Sequence, residues 1–339
     1  MAPTKYTDRP IPAISLADFD SRVEEITQQL CSAAEDVGFF CVTDHGIPLS
    51  SINEIFELSS RFFSLPDEVK AEVAFSSARN TGWEKNAQIR PSTGAVDRKE
   101  SYQMQFGANM EGKWLPDATL PHFQTSALEF MHQVQAVSEK LMKCFAYGLG
   151  FEGDHFIRAH DISRPESQTV CRLLHYFEVP DNNERGSEVW HRAGAHTDWD
   201  LLTLLFQKEG QSGLEICPGR EVSTSFGYGD TWTKVEPSTT GAIICNIGDL
   251  LMSWSDDRFK STFHRVKAPT EVGDYYGERY SIAFFNQPCH DALIQGPEKK
   301  YPLVTGAEFT TNAMNMYYSK TRKDEKVKIE DAAIAVLVN

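Results

Sequence analysis

The stretch from Thr169 to Gln287 constrains the fold more than any other part of the chain. It is a succession of short β-rich runs, Val170–Tyr176, Leu201–Phe206, Ala242–Ile247, Thr262–Ala268 and Arg279–Phe285, separated by turn residues that include glycines. Many short strands in this arrangement pack as a sandwich or a closed jelly roll. The N-terminal half follows a helical period instead. After Asp20, the residues Val23, Ile26, Leu30, Ala33 and Val37 recur at steps of three and four, which predicts a helix with Asp20 as N-cap and Gly38 as stop. Phe39 to Val42 reads as a buried strand closed by Asp44-His45-Gly46. A second helix carries Ile52, Ile55, Phe56, Phe62 and Phe63, with Pro66 interrupting it. Thr125 to Gly148 is the longest helical run, and helical character returns at Ala307–Lys320. Arg79 to Gly107 has weak periodicity and reads as a functional loop or hairpin. One integrated unit is expected: a helical and loop region over 1–125, a long helix over 126–162, a β core over 163–290 and a helical extension over 291–339.

Composition narrows the partners. The 339 residues hold 33 basic and 48 acidic side chains, a formal net charge of −15, with 41% hydrophobic residues. This suits a soluble globular chain and argues against nucleic acid or an anionic membrane surface as the main partner. No run approaches the ~18 apolar residues of a membrane helix, and Met1 to Pro12 has no signal-peptide core. The seven cysteines, Cys31, Cys41, Cys144, Cys171, Cys217, Cys245 and Cys289, have neither zinc-finger nor redox-pair spacing and read as reduced core thiols. A cytoplasmic monomer acting on a small molecule is the expectation.

The chemistry lies in two pairs of residues. His196 and Asp198, in Gly194-Ala195-His196-Thr197-Asp198-Trp199, stand at i and i+2 and face one side of an extended segment. A second histidine from a distant strand completes a 2-His-1-carboxylate triad, the donor set of non-haem Fe(II) sites with open positions. His264, before Arg265-Val266, is the candidate. Arg279 and Ser281 form the other i, i+2 pair, on the apolar run ending Ile282-Ala283-Phe284-Phe285. A guanidinium and a hydroxyl on one face suit capture of a carboxylate, and a buried arginine needs an anionic partner. An iron site near a carboxylate anchor is what a 2-oxoglutarate-dependent oxygenase requires.

Five stretches strengthen this reading by their order. They are Asp36-Val37-Gly38-Phe39-Phe40 with Asp44-His45-Gly46-Ile47; Arg172-Leu173-Leu174-His175-Tyr176; Gly194 to Asp198 with Leu202-Thr203-Leu204-Leu205-Phe206-Gln207; Asn246-Ile247-Gly248-Asp249; and His264-Arg265-Val266 through Arg279-Tyr280-Ser281. Together they resemble the isopenicillin N synthase-like group of the Fe(II)/2-oxoglutarate dioxygenase superfamily, over residues 10 to 320. The resemblance implies a mainly β fold with flanking helices and a distorted double-stranded β-helix core (jelly roll, cupin-like). It implies Fe(II) on His196, Asp198 and His264, with 2-oxoglutarate on Arg279, Ser281 and Tyr176 and O2 as the other co-substrate. The implied reaction oxidises a small organic molecule, in specialised metabolism, with release of succinate and CO2. Hydroxylation is the default outcome, and desaturation or ring rearrangement are variants. The alternatives are a 2-oxoglutarate-independent oxidase of the same fold and a non-catalytic metal-binding fold.

Other residues carry weaker expectations. Trp199 and Phe285 flank a flat or aromatic substrate, and Arg90, Tyr102, Gln103, Gln105 and Phe106 shape the pocket from the N-terminal loop. His191 reads as a surface-loop residue, while His45 and Asp249 organise turns. Arg172 faces either the site or away from it. Two segments, Glu178 to Trp190 and Cys217 to Trp232, depart from the family pattern and either cover the site or decorate the surface.

Overall fold

The computed structural model describes residues 4–87, 97–179, 191–221, 231–238, 240–271 and 273–313. Two short strands, β1 (Lys5–Tyr6) and β2 (Ala13–Ser15), lead into α1 (Phe19–Asp36), β3 (Phe39–Thr43), α2 (Leu49–Phe63) and α3 (Asp67–Lys70). An antiparallel pair, β4 (Gly82–Lys85) and β5 (Lys99–Met104), precedes α4 (Phe123–Gly148) and α5 (His155–Ala159). The β-rich half supplies β6 (Val170–Tyr176), β7 (His191–His196), β8 (Leu202–Gln207), β9 (Leu214–Glu221), β10 (Thr231–Val235) and β11 (Ile243–Ile247). After α6 (Asp249–Trp254) come β12 (Thr262–Lys267), β13 (Arg279–Phe285), β14 (Leu293–Ile294) and β15 (Val304–Thr305).

Local chemistry sets several boundaries. Asp18, in a left-handed conformation with φ 52°, precedes α1, so the expected cap Asp20 lies inside the first turn, where its charge meets the positive end of the helix. Gly38 ends the segment at φ 73°, and a Cβ there would stand 2.1 Å from the Lys260 carbonyl oxygen. Glycine is required at this position. α2 stops at Phe63, and Pro66 precedes α3 as its cap. The Ala307–Lys320 run is helical as far as residue 313, and the rest lies outside the described residues. So do Arg90 and most of the two departing segments. All seven cysteines are free thiols, six of them buried. No helix among the described residues is long and apolar enough to cross a membrane.

The strands form two large sheets. One has eight strands in the order β2-β3-β11-β8-β13-β6-β5-β4, and the other has five in the order β1-β10-β9-β12-β7. Leu174, Tyr176 and Ala283 of the larger sheet pack on Ala193 and Val266 of the smaller one. At the other end Phe39 and Ile244 pack on Leu214, Ile216 and Val235. This is a double-sheet jelly roll. The expected closure does not occur as hydrogen bonding among the described residues, because the ladders end at β7 and β4 and side-chain packing joins the two faces. Helices α1, α2 and α4 cover the outside of the larger sheet. On β13, Tyr280, Ile282 and Phe284 therefore face helices, while Arg279, Ser281, Ala283 and Phe285 face the second sheet.

Candidate active site

β7 and β12 are antiparallel neighbours with His196 opposite His264, and the two rings lie 4.3 Å apart between centroids. Asp198, two residues past the end of β7, places Oδ1 3.6 Å from Nε2 of each histidine. The three ligand atoms lie within 4.8 Å of one another. Each imidazole donates its Nδ1–H to a carbonyl two residues back, Gly194 at 2.7 Å and Thr262 at 3.3 Å. That choice of tautomer leaves both Nε2 lone pairs directed at the same point.

The carboxylate is oriented from behind. Thr203 Oγ1 donates to Asp198 Oδ2 at 2.7 Å and Asn246 Nδ2 at 2.9 Å, which leaves Oδ1 to the imidazoles. Burial alone would raise the Asp198 carboxyl, but the two histidines and Asn246 outweigh it and hold the group well below the ordinary carboxylate range. Nearby Asp200 is fully buried; burial and the charge on Asp198 push it well above that range. Asp249 supports the same turn, accepting from Ser261 at 2.6 Å and Thr197 at 3.2 Å. Burial pushes it up to about 7 despite these bonds. A carboxylate oxygen and two imidazole Nε2 atoms, turned to one point, fit a divalent iron ion.

β13 lies between β6 and β8, with Arg279 opposite Tyr176 and Ser281 opposite Gln207. The Arg279 side chain is 1% exposed. Its Nε donates to the Gln211 carbonyl at 3.1 Å, and its terminal nitrogens to Ser281 Oγ at 3.2 Å and Gln207 Oε1 at 3.0 Å. The guanidinium carbon lies 5.2 Å from the Tyr176 ring centre. Each of these partners is neutral, and no carboxylate pairs with Arg279 among the described residues. Burial pulls its pKa down. A second buried guanidinium, Arg192 on β7, bonds the carbonyls of Tyr276 and Gly277. Burial and the charge of Arg279 push it down to about 10. Two buried guanidinium groups with no carboxylate partner among the described residues are costly, so this end of the inter-sheet space fits an anionic ligand. Along β8, Thr203 marks the histidine end and Gln207 the arginine end, four residues or about 13 Å apart along the strand.

The other expected residues divide by strand face. Gln103 lies opposite Arg172 and accepts from its guanidinium at 2.6 Å. Arg172 shares the face of Leu174 and Tyr176, and its guanidinium carbon sits 5.1 Å from the ring centre of Phe285. It therefore faces the inter-sheet space, beside Phe285. Trp199 is half-buried next to Asp198. Tyr102, expected in the pocket, packs instead among Phe62, Trp114 and Phe123 on the helix side. Phe106 packs on His132 and Phe284 of that side, and Gln105 bonds Arg79 and Asn109 locally. For Tyr102 the reason is the two-residue alternation of β5, which turns Gln103 inward and Tyr102 outward. His45 braces its turn through Ile47 N–H and the Gly241 carbonyl. The side chain of His191 lies outside the described residues. Sequence reasoning gave no role to Thr203, Asn246, Gln207 or Gln211. Strand alternation marks the first three as inward-facing, whereas the Gln211 carbonyl contact depends on a turn.

Comparison with known proteins agrees with the geometry. Residues 11–121 match the N-terminal model of the non-haem dioxygenase in morphine synthesis, and residues 167–288 match the 2OG-Fe(II) oxygenase superfamily. The chain is 32% identical over 290 residues to proline hydroxylase buaE of Petromyces alliaceus, covering 83% of this chain and 86% of the relative. It is 27% identical to the 2-oxoglutarate-dependent dioxygenase frbA of Dothideomycetidae sp., covering 91% and 94%. The crystal structure of full-length Neurospora crassa T7H with alpha-KG superposes with a TM-score of 0.77 at 27% identity, covering 90% of this chain and 95% of that one. The jelly roll, the His-Asp-His group and these relatives lead to one conclusion: the chain belongs to the 2OG-Fe(II) oxygenase superfamily and is an Fe(II)- and 2-oxoglutarate-dependent dioxygenase.

Proposed function

We propose that His196, Asp198 and His264 hold Fe(II), and that Arg279 and Ser281 bind the distal carboxylate of 2-oxoglutarate, with the Tyr176 ring packed beside the guanidinium. Bound Fe(II) and 2-oxoglutarate supply O2 activation and reducing equivalents for oxidation of the substrate, with succinate and CO2 as by-products. The chain's own residues bind, orient and exclude water. Leu205 and Ala283, between the two ends of the site, keep its floor apolar. Arg172, Gln103, Phe285 and Trp199 form the substrate side, where a guanidinium on an aromatic ring suits a small molecule with a planar hydrogen-bond acceptor. Relatives named as a proline hydroxylase and a Validamycin A dioxygenase support small-molecule hydroxylation in specialised metabolism.

The observation that carries this reading is Arg279, buried with no carboxylate partner among the described residues, in the same inter-sheet space as the ligand triad. Anaerobic addition of Fe(II) and then 2-oxoglutarate should give a weak visible charge-transfer band, lost or weakened in Arg279→Ala. Iron binding with no band at saturating 2-oxoglutarate would overturn the co-substrate assignment.

A further inference from the structure

Gln207 ends β8 on the same face as Thr203 and Leu205, and its amide is only half used. The amide oxygen accepts from Arg279 at 3.0 Å, while Nε2 is buried with no hydrogen-bond partner among the described residues. Because a guanidinium only donates, this contact also settles which end of the amide is oxygen. Ser281, opposite Gln207 across the β8–β13 pair, accepts from the other terminal nitrogen of Arg279. The arginine fork is thus held between a hydroxyl and an amide, with an unfilled N–H2 beside it. A buried donor without an acceptor is destabilising, and such groups in native proteins usually mark a ligand or an ordered water.

Resting on the reading above, we propose that Gln207 is a further binding residue for the distal carboxylate of 2-oxoglutarate, beyond the Arg279-x-Ser281 pair. Its oxygen positions the guanidinium, and its Nε2 donates to a carboxylate oxygen of the co-substrate. The neutrality of the amide is part of its role. A glutamate at this position would pair with Arg279 inside the protein and cancel the charge that the co-substrate needs.

The test is anaerobic calorimetric titration of the Fe(II)-loaded full chain with two 2-oxo acids. One is 2-oxoglutarate; the other, 2-oxobutanoate, lacks the distal carboxylate. Gln207→Leu should weaken 2-oxoglutarate binding about tenfold or more, and the near-isosteric Gln207→Glu should weaken it further. Neither should change 2-oxobutanoate affinity by more than about twofold, which also shows that both variants are folded. The inference fails if Gln207→Leu leaves 2-oxoglutarate affinity unchanged, or if both acids weaken equally. If Arg279→Ala abolishes the preference for 2-oxoglutarate while both Gln207 variants are silent, only this inference falls. If the wild-type chain shows no preference for 2-oxoglutarate over 2-oxobutanoate, the carboxylate anchor falls with it.

Discussion

Replacing Asn246 with alanine tests how the fold holds its acidic ligand. Asn246 is 3% exposed and donates at 2.9 Å to the Asp198 oxygen turned away from the histidines. A hydrogen bond to a charged group contributes about 1.5–3 kcal/mol, and at 1.4 kcal/mol per decade this is about 10- to 150-fold in an equilibrium that needs the carboxylate in this orientation. Loss of a partner behind a metal ligand typically costs about 10- to 100-fold in metal affinity, so the two estimates agree. Thr203 still donates to the same oxygen at 2.7 Å. It retains part of the orientation, which places Asn246→Ala near the lower end, at about tenfold. Thr203→Val should act in the same direction. In the double variant no side chain holds Oδ2, and the loss should exceed the sum of the single changes in free energy, because the two donors share one acceptor. Anaerobic Fe(II) titration of the four proteins gives the affinities, and urea unfolding of the metal-free proteins gives stability. An Asn246→Ala protein that binds Fe(II) within twofold of wild type would refute the orientation argument.

Two further predictions concern stability. Gly38→Ala places a methyl against the Lys260 carbonyl at a positive φ and should destabilise the fold by at least about 3 kcal/mol, read as a lower urea midpoint; a loss below about 1 kcal/mol would show that the β12 approach yields. His160 is fully buried, and burial lowers it to about 4 even though it bonds the Phe156 carbonyl at 2.7 Å. As pH falls from 6.5 toward 4 the unfolded chain gains a proton that the native state does not, so stability present above pH 6.5 is lost at about 1.4 kcal/mol per unit, roughly 3 kcal/mol in total. His160→Gln should flatten the stability–pH curve in that window, and a slope equal to wild type would contradict the assignment.

Elements with a clear period or sharp polar ends were legible from the chain. Arg279–Phe285 is a strand with the bounds read from its apolar run, since a polar residue opens it and Asn286-Gln287-Pro288 closes it. The long amphipathic helix differs from its expected start by two residues, beginning at Phe123. β5 has no such mark. All six of its residues are buried, so no polar face distinguishes inside from outside. Alternation says that Tyr102 and Gln103 oppose each other. Only the packing of helices on one side and the second sheet on the other decides which one faces the site.

Sequence by itself determined the residue types that make the chemistry and their local pairing. His196 with Asp198, and Arg279 with Ser281, stand two apart on extended segments, and that spacing alone puts each pair on one face. Tertiary structure decided what those faces meet. The register of β7 on β12 sets His264 opposite His196. The position of β8 between β11 and β13 turns Thr203 toward Asp198 and Gln207 toward Arg279. A one-residue slip in either ladder would turn these side chains to the opposite face. Register depends on which distant strands find each other, through the summed burial of both sheets. No local segment carries that information.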